Sequence, residues 1–352
     1  MKTLSTLLEE ITGPDEAARQ ACRTRWDGLG KPLGSLGALE STLARIAAVT
    51  GDVDVSLERR TLLVLCADNG VVAQGVTQCG SDVTAAVARA LAAGERTVCH
   101  MARLARCRVV PVDMGIQDFP PTPGVWDCRV RNGTADITQG PAMTRAECVR
   151  AMELGADLVR RCREAGDAIV ATGEMGIGNT TTSSALAAAL LDQPVEAVTG
   201  RGAGLSDAGL VRKVDAIQKA LAVNQPDPAD PIGVIAKVGG LDIAGLCGIF
   251  LGGAAYRVPV VIDGFISGAA ALCACRLCPA AKFAMLPSHV SAEPAGGLML
   301  EALGLRPLIT AGMRLGEGSG AVALLPLLDM ALAVYHSGQT FGRLGIDAYT
   351  PQ

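Results

Sequence analysis

An α/β fold with a parallel sheet is what this sequence predicts, on three observations. Short, nearly continuous apolar runs recur along the chain. Alanine-rich stretches of helical periodicity lie between them, and glycines follow several of the runs at once. Four runs read as strands: 61–67 (TLLVLCA), 108–112 (RVVPV), 168–172 (AIVAT) and 258–262 (VPVVI). Unbroken apolar character suits strands covered on both faces, as in parallel sheets. Residues 83–91 and 151–165 carry the helical period. Strands alternating with helices make βαβ units, and right-handed crossovers put every strand's carboxyl end on one edge, where ligands bind. The expected architecture is a three-layer, Rossmann-like large domain over about 26–324, with a small helical subdomain from the chain ends, about 1–25 plus 325–352. The NQPDPADP segment at 224–231 reads as a loop.

Composition narrows the function classes. Of 352 residues, 49% are hydrophobic, 19% are charged and 42 are glycine, while only 3% are aromatic. An average chain has about 25% charged residues and about 7% glycine. The core must therefore be built from small and aliphatic side chains. A net charge of −4 gives no electrostatic footprint for nucleic acid, and few aromatics leave few stacking platforms for bases. The longest apolar stretch, 243–256, is bounded by Asp242 and Arg257 and is too short for the ~20 residues a membrane span needs. Twelve cysteines are scattered from Cys22 to Cys278, many of them inside apolar runs, and the N-terminus turns acidic at once rather than opening as a secretory signal. Free, buried thiols in a reducing cytoplasm are expected. Cys275 and Cys278 form one CxxC without a second pair, and the only histidines are His100, His289 and His336, so neither a metal site nor a metal cofactor is expected.

The strongest local signal is TGEMGIGNTTTSSAL at 172–186. Here a strand is expected to end near Thr172, Gly173, Gly176 and Gly178 to allow tight turns, and Asn179 or Thr180 to cap a following helix. A glycine-rich turn feeding a helix N-terminus points N–H groups at an anion. The segment has neither GxxxxGK[ST] nor GxGxxG, so it is no P-loop, and a dinucleotide-binding reading is weak. Glu174 in such a turn needs a reason, such as ribose hydroxyls or a cationic ring. A second signal is MRLGEGSGA at 313–321, where Glu317 stands between glycines that leave its carboxylate unobstructed. A partly buried carboxylate is a candidate general base, although a first-turn Glu also suits a helix dipole. The third is GRGAGLSD at 200–207 followed by Lys213, a backbone cradle with a cation in reach of a phosphate. Gly202 and Gly204 belong to this cradle. KPLGSLG at 31–37, Asp68-Asn69-Gly70, Asp263-Gly264-Phe265 and SHVSAE at 288–293 add polar groups near expected strand ends.

Together these segments resemble the nicotinate-nucleotide–dimethylbenzimidazole phosphoribosyltransferase family. The resemblance runs over nearly the whole chain, in eight collinear blocks: KPLGSLG, ADNGV, GEMGIGNTT, GRGAGL, KVGGLDIAG, VVIDGFIS, SHVSAE and RLGEGSGA. It implies transfer of phosphoribose from nicotinate mononucleotide to a benzimidazole, with inversion at the anomeric carbon. It implies Glu317 as general base, with Glu174 and Lys213 in supporting roles at the ribose and at the phosphate or nicotinate side. The nucleotide cradle is expected at Gly176, Gly178, Asn179, Thr180, Thr181, Gly202, Gly204, Asp263 and Ser291. The base pocket is expected at Cys79, Val87, Met175 and Leu315. No metal or redox cofactor is implied. The family is usually dimeric, so a homodimer is expected, with a heterodimer of related subunits as the alternative.

The chain departs from the family pattern at Asn69, where members often have His, and at Ala203, where Thr is common. Cys79 and Val87 occupy the approximate positions of a serine and a glutamine. Losing two polar partners for the base nitrogen predicts broader base acceptance, extending to purines or phenols. A phenol-activating subunit of the same family is the nearest alternative. A non-catalytic nucleotide-binding paralogue is a further one, against which the intact Glu317 argues. An NAD-dependent oxidoreductase would need GxGxxG after its first strand.

Overall fold

The computed structural model describes residues 1–349. Six strands form one sheet: β1 (Arg60–Ala67), β2 (Arg108–Gly115), β3 (Trp126–Asp127), β4 (Ile169–Met175), β5 (Val260–Ile262) and β6 (Met285–Pro287). Their order is β3-β2-β1-β4-β5-β6, and every neighbouring pair is parallel. This is the α/β architecture expected, and the apolar runs show why it forms. Leu63, Leu65 and Ala67 of β1 enter one core, and Leu62, Val64 and Cys66 enter the other. Side chains alternate across a strand, so burial on both faces requires both sets to be apolar. The helices Arg145–Glu164, Leu241–Ala255 and Phe265–Leu277 cover the first face, and Ala38–Thr50, Asp82–Ala93 and Ser319–Tyr335 cover the second.

Several boundaries differ from expectation. β2 and β4 run three residues further, through polar and glycine positions that read as turns. Backbone pairing to β1 continues there, with Leu65 opposite Glu174 and Cys66 opposite Met175. β5 begins at Val260, after Pro259, which has no N–H for a ladder. β3 and β6 span two and three residues and are too short to display a period. The 151–165 helix starts earlier, at Arg145, because Thr144 and Glu147 form a reciprocal capping box.

Glycine excess serves helix packing as well as turns. A Cβ on Gly252 would lie 2.8 Å from Ala156 Cα, so the Arg145–Glu164 and Leu241–Ala255 helices approach at backbone distance. At the chain ends, the Trp26 and Tyr335 rings sit 5.0 Å apart, and Leu29 bridges to Thr340. Leu4–Glu9 lies instead near Arg145–Glu164, where Leu4 N–H donates to Glu153 at 2.9 Å. The Ser319–Tyr335 helix passes unbroken across residue 325. Division into a large and a small domain stays a proposal, and its residues 350–352 lie outside the described residues. All twelve cysteines are free thiols. Among the described residues no helix is long and apolar enough to cross a membrane, and no group of three or more His, Cys, Asp or Glu side chains is arranged to hold a metal ion.

Candidate active site

The strand order reverses between β1 and β4, and the carboxyl ends of β1, β4, β5 and β6 open on one edge. A cleft of about 350 Å³ lies there, lined among others by Glu174, Thr180, Gly202, Asp263, Ser291 and Leu315. Such a switch point is where open parallel sheets bind ligands.

The Glu317 loop is held under strain. Gly316, Glu317 and Gly318 all have positive φ (80°, 58° and 86°), a region a non-glycine residue rarely adopts. Asp263 holds the loop: its Oδ1 accepts from the N–H groups of Gly320 (2.7 Å) and Ala321 (3.0 Å), and its Oδ2 from that of Gly318 (3.2 Å). Asp263, expected at the nucleotide, lines the cleft and at the same time holds the first turn of Ser319–Tyr335. The loop lies against β4, where a Cβ on Gly173 would sit 2.7 Å from the Glu317 carbonyl carbon. Gly173 is therefore a strand glycine needed for close approach, rather than a turn glycine. The Glu317 side chain is buried beside the cleft, next to the lining residue Gly316. Its Oε1 accepts from Arg96 Nε at 3.1 Å and also from Nη2, while its Oε2 is buried without a partner.

Glu174 and Asp242 form a second acidic centre. Asn179 Nδ2 donates to Glu174 Oε2 and to Asp242 Oδ2 (3.0 Å for the latter), so its side chain bridges the carboxylates instead of capping a helix. The N-cap of Asn179–Leu191 is Gly178, at φ 94°. Burial, reinforced by Asp242, pushes the Glu174 pKa up to about 8, and burial pushes that of Asp242 up to about 6. Glu174 therefore carries its proton at neutral pH.

The native Glu174 keeps a proton between its ordinary value of 4.5 and about 8, whereas the unfolded chain releases it. This group's contribution is full below 4.5 and is lost as pH rises through that window. Glu174→Gln abolishes the titration, so its Tm relative to the parent protein should rise by a few degrees between about pH 5 and about pH 8. Thermal melts of both proteins at the two pH values check this, and an unchanged difference would overturn it.

Lys213 lies behind the cleft wall, beneath the lining residues Thr180 and Gly202. It is fully buried, and Nζ donates to Thr180 Oγ1 and to the Gly200 carbonyl, both at 2.9 Å. Burial pushes its pKa down to about 8, against the opposing pull of Glu293. Gly202 (φ 53°) closes the cradle, since a Cβ there would lie 2.9 Å from Thr180 Oγ1. Gly204 (φ 109°) turns the same loop. Ser291 Oγ accepts from the Glu293 N–H at 3.3 Å. Gly176 stands at the end of β4 against β1, and Thr181 Oγ1 is buried without a partner.

The four expected base-pocket residues do not line one cavity. Leu315 is half exposed on the main cleft. Cys79 lines an adjoining space of about 80 Å³ that shares Thr180 and Gly202 with it. Val87, on the sheet-facing side of its helix, lies in the apolar core, and Met175 packs against that core. Residues not singled out from sequence complete the site. Arg96 meets Glu317 from 221 positions away, a separation with no local signal. Asp242 had one: it is a carboxylate heading the most apolar helix of the chain, inside the KVGGLDIAG block. Glu293 and Arg314 also line the cleft.

A family model described as Phosphoribosyltransferase matches residues 11–346. The nicotinate-nucleotide–dimethylbenzimidazole phosphoribosyltransferase of Ruminiclostridium cellulolyticum is 46% identical over 332 residues, covering 94% of each chain. The enzyme of the same name from Clostridium acetobutylicum is 40% identical over 348 residues, covering 99% of each. The crystal structure of CobT from Thermus thermophilus is similar with a TM-score of 0.89 at 40% identity, over 95% of this chain and 100% of that one. With matches that span the sheet, the Glu317 loop and the Lys213 cradle, this chain belongs to the nicotinate-nucleotide–dimethylbenzimidazole phosphoribosyltransferase family.

Proposed function

We propose that the protein transfers the phosphoribosyl group of nicotinate mononucleotide to 5,6-dimethylbenzimidazole or a related base, giving α-ribazole 5′-phosphate and nicotinate. The observation that carries the reading is the make-up of the cleft wall: Thr180 and Gly202, backed by the buried Lys213, together with the buried carboxylates of Glu174 and Asp263. The phosphate is held by Lys213, Thr180 and the Gly202 loop. Glu174, carrying its proton, donates to the ribose, and its Asn179 and Asp242 partners orient it. The pyridinium nitrogen is already cationic, takes up the glycosidic electron pair and leaves neutral, so no general acid is required. The attacking nitrogen of the base becomes bonded to the anomeric carbon, and the N–H proton of the resulting benzimidazolium goes to the Glu317 carboxylate. The ionised Asp242 behind Glu174 supplies negative charge that stabilises oxocarbenium character at the anomeric carbon.

Mass spectrometry of products formed from nicotinate mononucleotide and a panel of benzimidazoles, purines and phenols tests both the reaction and its breadth. With Cys79 offering no strong hydrogen bond and Val87 turned into the core, rates for several bases should fall within about tenfold of one another. A strong preference for 5,6-dimethylbenzimidazole over every competitor would overturn the breadth and leave the reaction standing. Absence of product with every base would overturn the reaction.

A further inference from the structure

A second cleft, of about 590 Å³, lies at the β6 edge of the sheet and shares no lining residue with the catalytic one. Four guanidinium side chains line it: Arg19, Arg23, Arg45 and Arg306. They come from three elements. Arg19 and Arg23 are four apart on the Glu16–Asp27 helix and so share one face, Arg45 stands on Ala38–Thr50, and Arg306 follows Ala295–Leu303.

The carboxylates present do not neutralise this crowd. Glu16 pairs with Arg19 (2.6 Å), and Glu40 on the adjoining wall is taken by Lys31 (2.6 Å). Arg45 donates to the Met285 carbonyl at 2.8 Å, which satisfies a donor and leaves the charge. Among the described residues Arg23 and Arg306 have no ion-pair partner. Burial and the neighbouring Arg19 push the Arg45 guanidinium below its ordinary pKa, so these like charges repel one another. In a chain of net charge −4, such a concentration of cations is a local feature rather than a general surface property. The cleft also receives the N-terminus of Ala38–Thr50, whose N-cap Gly37 offers no side-chain cap. Planar guanidinium forks from several directions match the oxygens of phosphate groups better than any single point charge. Nothing in the phosphoribosyl-transfer chemistry uses these residues.

We propose that this arginine-lined cleft is a second anion site of the protein, and that it takes a polyphosphate group. Its neighbouring phosphates present several anionic oxygens to guanidiniums arriving from three elements at once.

Titration calorimetry of the full-length protein with inorganic triphosphate at low salt tests this, alongside two variants. Arg23→Ala/Arg306→Ala removes two exposed cations of the cleft, and Arg45 stays in place because it also anchors β6. Lys213→Ala removes the catalytic-site cation. The expected result is triphosphate binding in the parent protein and in Lys213→Ala alike, weakened at least about tenfold in the double variant. Binding lost in Lys213→Ala but kept in the double variant would place the anion in the catalytic cleft and overturn the proposal. So would absence of binding at millimolar triphosphate. Light scattering covers the other occupant: a cleft filled by a second copy of the chain would bind no triphosphate, and the double variant would change the oligomeric state.

Discussion

Glu317→Gln should lower kcat by about 10²- to 10⁴-fold, the range a positioned general base supplies, while nicotinate mononucleotide binding stays close to that of the parent protein. The substitution is isosteric. The amide oxygen can keep the Arg96 hydrogen bond now made by Oε1, and the amide nitrogen then occupies the site of the unpartnered Oε2. That nitrogen cannot accept a proton from the benzimidazolium, which is why the loss should fall on turnover. The strained loop should persist, since Asp263 holds it through the backbone N–H groups of Gly318, Gly320 and Ala321. Single-turnover kinetics and equilibrium binding, measured on the same preparation, separate the two effects. Unchanged turnover would remove the general-base role. Equal losses of binding and turnover would point to a structural one.

The second large effect is expected at Lys213. Met fills a similar volume in this fully buried site but carries no charge and no donor. Lys213→Met should raise the KM for nicotinate mononucleotide by about 10- to 100-fold, because one charge-assisted hydrogen bond to phosphate contributes about 1.5–3 kcal/mol. The change in kcat should be much smaller, as the phosphate is held alike before and during the reaction. The parent protein adds a pH signature. Lys213, with a pKa pushed down to about 8, loses its charge as pH rises through that value, so its KM should climb above about pH 8. In Lys213→Met that climb should vanish. A KM insensitive to the substitution would take the phosphate role from Lys213.

The parts of the fold legible in the chain are those in which burial writes a pattern. β1, β2, β4 and β5 are sandwiched between helices, so they are apolar at successive positions. β3 and β6 are held by only a few hydrogen bonds from a neighbouring strand and have no room for a period. The same contrast holds at the site. Glu174 and Glu317 were legible because carboxylates among glycines in an apolar chain need a reason. The Gly202 loop and Lys213 were legible as a cradle with a cation, yet the complete burial of that lysine was not. Val87 stands at an approximate base-pocket position by resemblance, and its helix turns it into the core.

Local conditions are written in the chain: apolar runs for a parallel sheet, glycines where backbones must touch, and the charged groups available for chemistry. Tertiary structure decided which of those groups meet. Arg96 reaches Glu317, Asn179 joins Glu174 to Asp242, and Asp263 holds a helix N-terminus at the cleft wall. The pKa values of Glu174 and Lys213 belong to that second level as well. The physical reason is that desolvation and charge pairing act over a few ångströms of space, and that distance is set by how helices and strands pack, not by how far apart residues lie along the chain.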